Sequence, residues 1–264
     1  MVASSYKSGT TLTMNIVRRL ICLGREVPPF ESLWPDARFH GELSSLVARL
    51  EESKQRRYLK THLALDGLPY YPQVKYVVAC RDPRDVFMSF WNHYRSMSAE
   101  FLEHVNGLPG RVGPPMPLCP DDIHQVWSDW IGRGWFPWET EGYPWWGNMR
   151  HVQSWWNFRH LDNILFVHFA DLLADLPGQI RRIATYLEID LPQAELPGVM
   201  ETLTLGAMRD EAAAEDPEFA SWFYNKGTNG RWREVLSPEE LSEYAHKAAQ
   251  VLDPECRRWL EHGS

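Results

Sequence analysis

Apolar residues along this chain follow two rhythms, short continuous runs and stripes spaced three to four apart, and the two alternate. Val2-Ala3-Ser4-Ser5 is a strand seed, and Leu12, Met14, Ile16, Val17 and Leu20 then mark one face of a helix. Pro28-Pro29 breaks the pattern, a loop carries Trp34-Pro35 to about Gly41, and Leu43 to Leu50 predicts a second helix running into Glu51-Glu52-Ser53-Lys54. Tyr58-Leu59-Lys60 predicts a short strand ending at Thr61-His62. Val74 to Cys80 is β-branched and nearly unbroken in apolar character, as suits a central parallel strand covered on both faces. After Arg81-Asp82-Pro83-Arg84-Asp85, helical spacing resumes at Val86, Phe87, Phe90, Trp91 and Tyr94.

Gly107 to Pro120 is rich in glycine and proline and predicts an irregular loop, long enough to suggest a lid. A helix from Asp121 to about Ile131, a second loop from Gly132 to Gly147 and a helix from Asn148 to about Arg159 follow. Asn163 to Phe169 predicts another buried strand; Gln179 to Leu187 and Pro238 to Leu252 predict amphipathic helices. Strands alternating with helices specify an α/β fold, a single domain over residues 1–264 with a central parallel sheet flanked by helices.

Composition narrows the function. A net charge of −8 over 264 residues argues against a broad basic surface for nucleic acid, so any polyanion must be met by a few local cations. Cys22, Cys80, Cys119 and Cys256 lie far apart without a C-x-x-C pair, which suits a reducing compartment and offers no zinc pattern. With no basic leader and no apolar run of membrane-spanning length, the expectation is a soluble cytoplasmic protein. Eight of the 13 tryptophans fall between Trp127 and Trp156, either as core or as the wall of a pocket for an apolar acceptor.

Tyr6-Lys7-Ser8-Gly9-Thr10-Thr11 joins the first strand to the first helix, and this is where the chemistry concentrates. A helix N-terminus offers free N–H groups and a positive dipole end, Lys7 adds charge, Gly9 permits close backbone approach, and Ser8, Thr10 and Thr11 add hydroxyls. The loop is P-loop-like but is not a Walker A loop, which needs G-x-x-x-x-G-K-[ST], because here the lysine precedes the glycine. Ligands of parallel sheets bind beyond the C-terminal strand ends, and Lys7, Lys60-Thr61-His62 and Arg81 all fall there. Arg81 and Ser89 are placed to converge on a second phosphate. His62 suits a general base, kept neutral by the like charge of Lys60.

These motifs resemble the cytosolic-type sulfotransferases that use 3′-phosphoadenosine 5′-phosphosulfate (PAPS) and release the desulfated nucleotide PAP. The family's P-K-S-G-T-T-W is matched by Tyr6 to Leu12, its K-T-H-L-P by Lys60 to Ala64, and its third motif by Tyr76 to Ser89. His151-Val152-Gln153-Ser154-Trp155-Trp156, Phe169-Ala170-Asp171-Leu172 and Asn225 to Trp232 are similar to later family elements, in the same order. The resemblance implies that Lys7, Ser8, Gly9, Thr10 and Thr11 bind the 5′-phosphosulfate and that His62 deprotonates the acceptor. It implies that Lys60 stabilises the sulfuryl group and that Arg81, Ser89, Lys226 and Gly227 hold the 3′-phosphate. It also implies a small hydroxylated acceptor, aromatic or lipid-like, and no metal.

The chain departs from the family pattern in several places. Tyr6 replaces a proline, Leu12 the tryptophan and Phe169 the tyrosine that meet the base, and Asn225 an arginine at the 3′-phosphate. The T-S-F-x-x-M element is only partly kept around Thr204 and Met208. The family's dimer motif is poorly matched at Arg233, Ser237, Pro238 and Ser242, so no dimer is inferred. A P-loop nucleotide kinase and a PAP- or PAPS-binding protein with little catalysis are the alternative readings.

Overall fold

The computed structural model describes residues 1–28, 33–37, 43–52 and 55–264. Pro29, the end of the loop near Gly41, and Ser53-Lys54 lie outside the described residues. Four parallel strands, β1 (Val2–Ser4), β2 (Lys60–Thr61), β3 (Tyr76–Cys80) and β4 (Ile164–His168), form one sheet in the order β2-β1-β3-β4. The chain leaves β1 through α1 (Thr10–Ile21) and α2 (Leu43–Glu52), adds β2 on one side, and crosses back to place β3 on the other. The direction of winding therefore reverses between β1 and β3, and that reversal opens a crevice at the C-terminal strand ends.

Register explains the core. Val2 pairs with Val77, which pairs with Leu165, and all three face one hydrophobic cluster; Ala3, Val78 and Phe166, one step on, face the other. A side-chain period of two divides each strand between two cores. The smaller core packs against α1, α8 (Leu176–Tyr186) and α9 (Leu196–Glu201) through Ile16, Leu20, Ile180, Ile183 and Leu196. The larger takes Phe87 and Phe90 of α3 (Pro83–Arg95), Trp127 and Trp130 of α5 (Ile123–Gly132), Trp155 of α6 (Asn148–Trp156), Tyr244 of α12 (Pro238–Val251) and Leu260 of α13 (Pro254–His262).

The expected strands and helices are present, with ends moved by local hydrogen bonds. α5 starts at Ile123 rather than Asp121 because the Asp122 carboxylate accepts the His124 N–H at 2.9 Å. The second strand is Lys60–Thr61, later than the expected Tyr58 start. Six helices among the described residues go beyond those expected: α4 (Ala99–Asn106), α7 (Phe169–Ala174), α9, α10 (Leu205–Glu215), α11 (Pro217–Phe223) and α13. α10 buries only Met208 along its length, so no apolar stripe announced it. The two long loops are irregular as expected, yet both are bonded. Asn106 pins Met116 through two hydrogen bonds of 2.7 and 2.9 Å, and the buried Glu141 carboxylate accepts the Asn148 and Arg150 N–H groups at the start of α6. Among the described residues no helix is long and apolar enough to cross a membrane.

Glu211 ties α10 to the first helix through two ion pairs, with Arg18 and, at 3.0 Å, with Arg19. Arg18, with its side chain 2% exposed, donates to both oxygens of Glu211 at 2.7 Å. Asn15 Oδ1 and the Pro28 carbonyl also accept from it, so removing the carboxylate leaves the guanidinium partly satisfied. Glu211→Ala is expected to lower stability by roughly 2–3 kcal/mol, below the full cost of orphaning a buried charge. A lower urea midpoint at unchanged m-value checks this.

Candidate active site

β1 lies in the interior of the sheet and ends at Ser4 in the crevice. The turn that follows holds Lys7 at φ 57° and Gly9 at φ 91°, both in the left-handed region. For a lysine that conformation costs about 1–3 kcal/mol, a strain typical of ligand-clamping turns. Gly9 is required twice over, since a Cβ there would also meet the Phe169 ring at 2.7 Å. α1 begins immediately afterwards with Gly9 as its cap and no side chain bonded to its first N–H groups. The loop thus presents backbone donors and a lysine to one small volume.

Positive charge converges there. Lys7 and Lys60 are half-buried, Arg81 is buried, and among the described residues none forms an ion pair with a carboxylate. Burial first, then Arg81 and Lys60, lowers the Lys7 pKa to about 7. Burial lowers Lys60 to about 8, with Asp36 acting against it. Arg81 is pulled down to about 10, again chiefly by burial, and stays charged. Its guanidinium lies 4.5 Å from the Phe169 ring centre and donates to Asn229 Oδ1 at 2.9 Å and the Thr228 carbonyl at 2.8 Å. A longer bond of 3.4 Å reaches the Lys7 carbonyl, so the strand-end arginine braces the loop as well as the C-terminal segment.

His62 follows β2 directly and is buried. Its Nδ1 lies 2.6 Å from the Ser4 carbonyl oxygen, which can only accept. The proton is therefore on Nδ1, and Nε2 carries the free lone pair. Burial and then Lys60 push its pKa well below the usual value, against the Ser4 hydrogen bond, so the ring is neutral at physiological pH. The Asp36 carboxylate accepts the His62 backbone N–H at 3.0 Å. A neutral imidazole with fixed tautomer beside two ammonium groups is able to take a proton from a hydroxyl while the cations hold developing negative charge.

Aromatic side chains enclose this centre. Trp34 meets the His62 ring edge-on at 4.7 Å, and Trp146 lies 5.5 Å from it. Phe223 of α11 sits 4.5 Å from the Lys7 ammonium. Tyr6 accepts the Trp130 indole N–H at 2.7 Å and meets Trp145 and Trp146 edge-on, so it braces the wall. The crowded tryptophans divide accordingly: Trp127, Trp130, Trp155 and Trp156 are core, Trp145 and Trp146 are wall, and Trp138 is 75% exposed. Neither ring nitrogen of buried His151 nor the side-chain amide of buried Asn148, one turn earlier on α6, makes a well-formed hydrogen bond.

The other expected contacts are spread over the same region. Ser8 is buried and bonds the Tyr6 carbonyl, Thr10 shares a 2.6 Å hydrogen bond with Ser4, and Thr11 is half-buried. Leu12 is half-buried against the edge of the smaller core, and Ser89 is half-buried on α3. Thr204 caps α10 and Met208 is buried within it, while Asn225, Lys226 and Gly227 are exposed, the Asn225 side chain accepting the Lys226 N–H at 2.7 Å. Ser4, Trp34, Asp36, Phe223 and Asn229 were not expected as site residues, whereas Trp146 belongs to the tryptophan-rich stretch offered as core or pocket wall. Each reaches the centre through a tertiary contact; only Trp34 carried a local cue, an aromatic residue before a proline.

Comparison with known proteins decides the family: the sulfotransferase domain matches residues 1–259. The chain belongs to the sulfotransferase family. A glycolipid sulfotransferase of Mycobacterium bovis is 28% identical over 290 positions, covering 100% of this chain and 88% of that protein. Sulfotransferase 1A1 of Rattus norvegicus is 23% identical, covering 96% and 84%. Mouse sulfotransferase SULT7A1 complexed with PAP has a TM-score of 0.73 at 19% identity, covering 98% of this chain and 86% of that one. Retinol dehydratase in a complex with retinol and PAP has a TM-score of 0.71 at 24% identity, with coverage of 96% and 80%. These structures share the parallel-sheet fold of this sulfotransferase.

The depressed lysines make anion binding pH-dependent. With its pKa lowered to about 7, Lys7 is largely neutral at pH 8 in the free protein, and the charge of a bound polyanion raises that pKa, so binding takes up a proton. Titration calorimetry of PAP in buffers of different ionisation enthalpy is expected to report uptake of about one proton at pH 8 and less at pH 6, with affinity falling as pH rises through 7.

Proposed function

We propose that this sulfotransferase moves the sulfuryl group of PAPS to a hydroxyl, or amine, of a small aromatic or lipid-like acceptor, with His62 as general base. The observation that carries this reading is the set of three cations around the loop, none of which forms an ion pair with a carboxylate among the described residues. Desolvated charge of that kind is costly until an anion compensates it, and a doubly phosphorylated nucleotide supplies charge of the right sign. The residues present fit that group. Lys7, Ser8, Gly9, Thr10 and Thr11 would hold the 5′ end; Arg81 and Ser89, with Lys226 and Gly227, the 3′-phosphate; Phe169, Leu12, Thr204, Met208 and Asn225 would surround the remainder. PAPS supplies an activated sulfuryl group.

His62 Nε2 would take the acceptor proton as the new S–O bond forms. Lys60 would hold negative charge on the sulfuryl oxygens, and Lys7 would neutralise the leaving phosphate oxygen. The acceptor class draws on two supports: the aromatic wall of Trp34, Trp145, Trp146 and Tyr6, and the glycolipid, retinol and androsterone in the names of relatives. Asn148 and His151 would meet polar groups of such an acceptor.

Sulfate transfer from labelled PAPS to a panel of phenols, sterols and glycolipids tests the reading. His62→Ala is expected to lower kcat by about 10²–10⁴-fold and to leave PAP affinity nearly unchanged. Full activity in that variant removes His62 from the mechanism. Tight binding of ATP–Mg²⁺ in place of PAP would favour the kinase alternative, and PAP binding without transfer the non-catalytic one.

A further inference from the structure

One indole touches both groups assigned to the chemistry. The Trp34 ring centre lies 3.7 Å from the Lys60 ammonium, and the same ring meets His62 edge-on at 4.7 Å and 87°. The segment that carries it is clamped to the centre twice more. The Lys60 N–H donates to the Leu33 carbonyl at 2.7 Å, and the His62 N–H donates to Asp36 at 3.0 Å. Residues 33–36 therefore run against β2 and follow the two active residues in register, although they lie more than twenty positions earlier in the chain.

A lysine needs such a partner here. Its four-carbon stem is flexible and its charge compact, so nothing in the side chain itself fixes where the ammonium sits. No carboxylate pairs with Lys60 among the described residues, and one that did would cancel the charge required for transfer. An aromatic face attracts the cation and restrains it without neutralising it. We propose that Trp34 is a positioning residue: its face holds the Lys60 ammonium at the transfer position while its contact with His62 keeps general base and cation in fixed relation.

This rests on the assignment of Lys60 and His62 above, so the experiment has an arm that does not depend on turnover. In protein with labelled lysine, the Lys60 side-chain methylene resonances are expected upfield of ordinary lysine positions, displaced by the indole ring current, and to return to those positions in Trp34→Met, while the Lys7 and Lys75 resonances, each under a different ring, stay where they were. Kinetically, Trp34→Met is expected to lower kcat about tenfold with PAP affinity changed less than about twofold, and Trp34→Phe to restore most of the loss. In the Lys60→Met background the Trp34→Met change is expected to add little, because one acts through the other. Ordinary Lys60 resonances in the wild type overturn the proposal. So does full kcat in Trp34→Met, rescue by methionine as good as by phenylalanine, or multiplicative effects in the double variant. Absence of any sulfate transfer by the wild type would instead defeat the assignment of function, while the resonance arm still decides whether Trp34 holds Lys60.

Discussion

Positive charge held out of water at the C-terminal edge of the sheet is the constraint around which the site is built. Lys7, Lys60 and Arg81 come from the ends of three neighbouring strands and are crowded enough to depress one another or to be depressed by burial. Such an arrangement weakens the free protein, and under the proposed function the anionic nucleotide would reverse the sign of the interaction. The lysine in a left-handed turn adds strain of the same kind, localised at the same loop.

Rigidity around that charge comes from hydrogen bonds and rings rather than from salt bridges. The Ser4 carbonyl sets the His62 tautomer, Arg81 braces the loop through the Lys7 carbonyl, and Phe169 fills the space that only glycine leaves at position 9. Aromatic faces over Lys7, Lys60 and Arg81 restrain three cations while leaving their charge available. Carboxylates would have been stronger partners and would have emptied the site of its field. Backbone carbonyls and rings thus preorganise the centre at little electrostatic expense.

The order of strands and helices was legible because buried parallel strands read as continuous apolar runs and their helices as stripes. Legibility failed where a helix lies on the surface with few buried residues, as in α10 and α11, or begins at a capping side chain, as at Asp122. In the site, Lys7, Lys60, His62 and Arg81 were readable because each follows a recognisable strand or sits in a recognisable turn. Trp34 and Asp36 precede no such mark, and Ser4 contributes a carbonyl that any residue type would carry.

Local sequence determines what depends on neighbours along the chain. The period of apolar positions set the strands, and the small residues around Gly9 set a turn able to approach an anion. The cations at the strand ends set its sign. The tertiary structure decided what depends on distance between remote residues. It brought residues 33–36 beside Lys60 and His62, chose Nδ1 as the protonated imidazole nitrogen, and sorted tryptophans into core, wall and surface. Hydrogen bonding, desolvation and ring contacts all fall off within a few ångströms, so they follow from where the sheet register and the crossovers place each side chain.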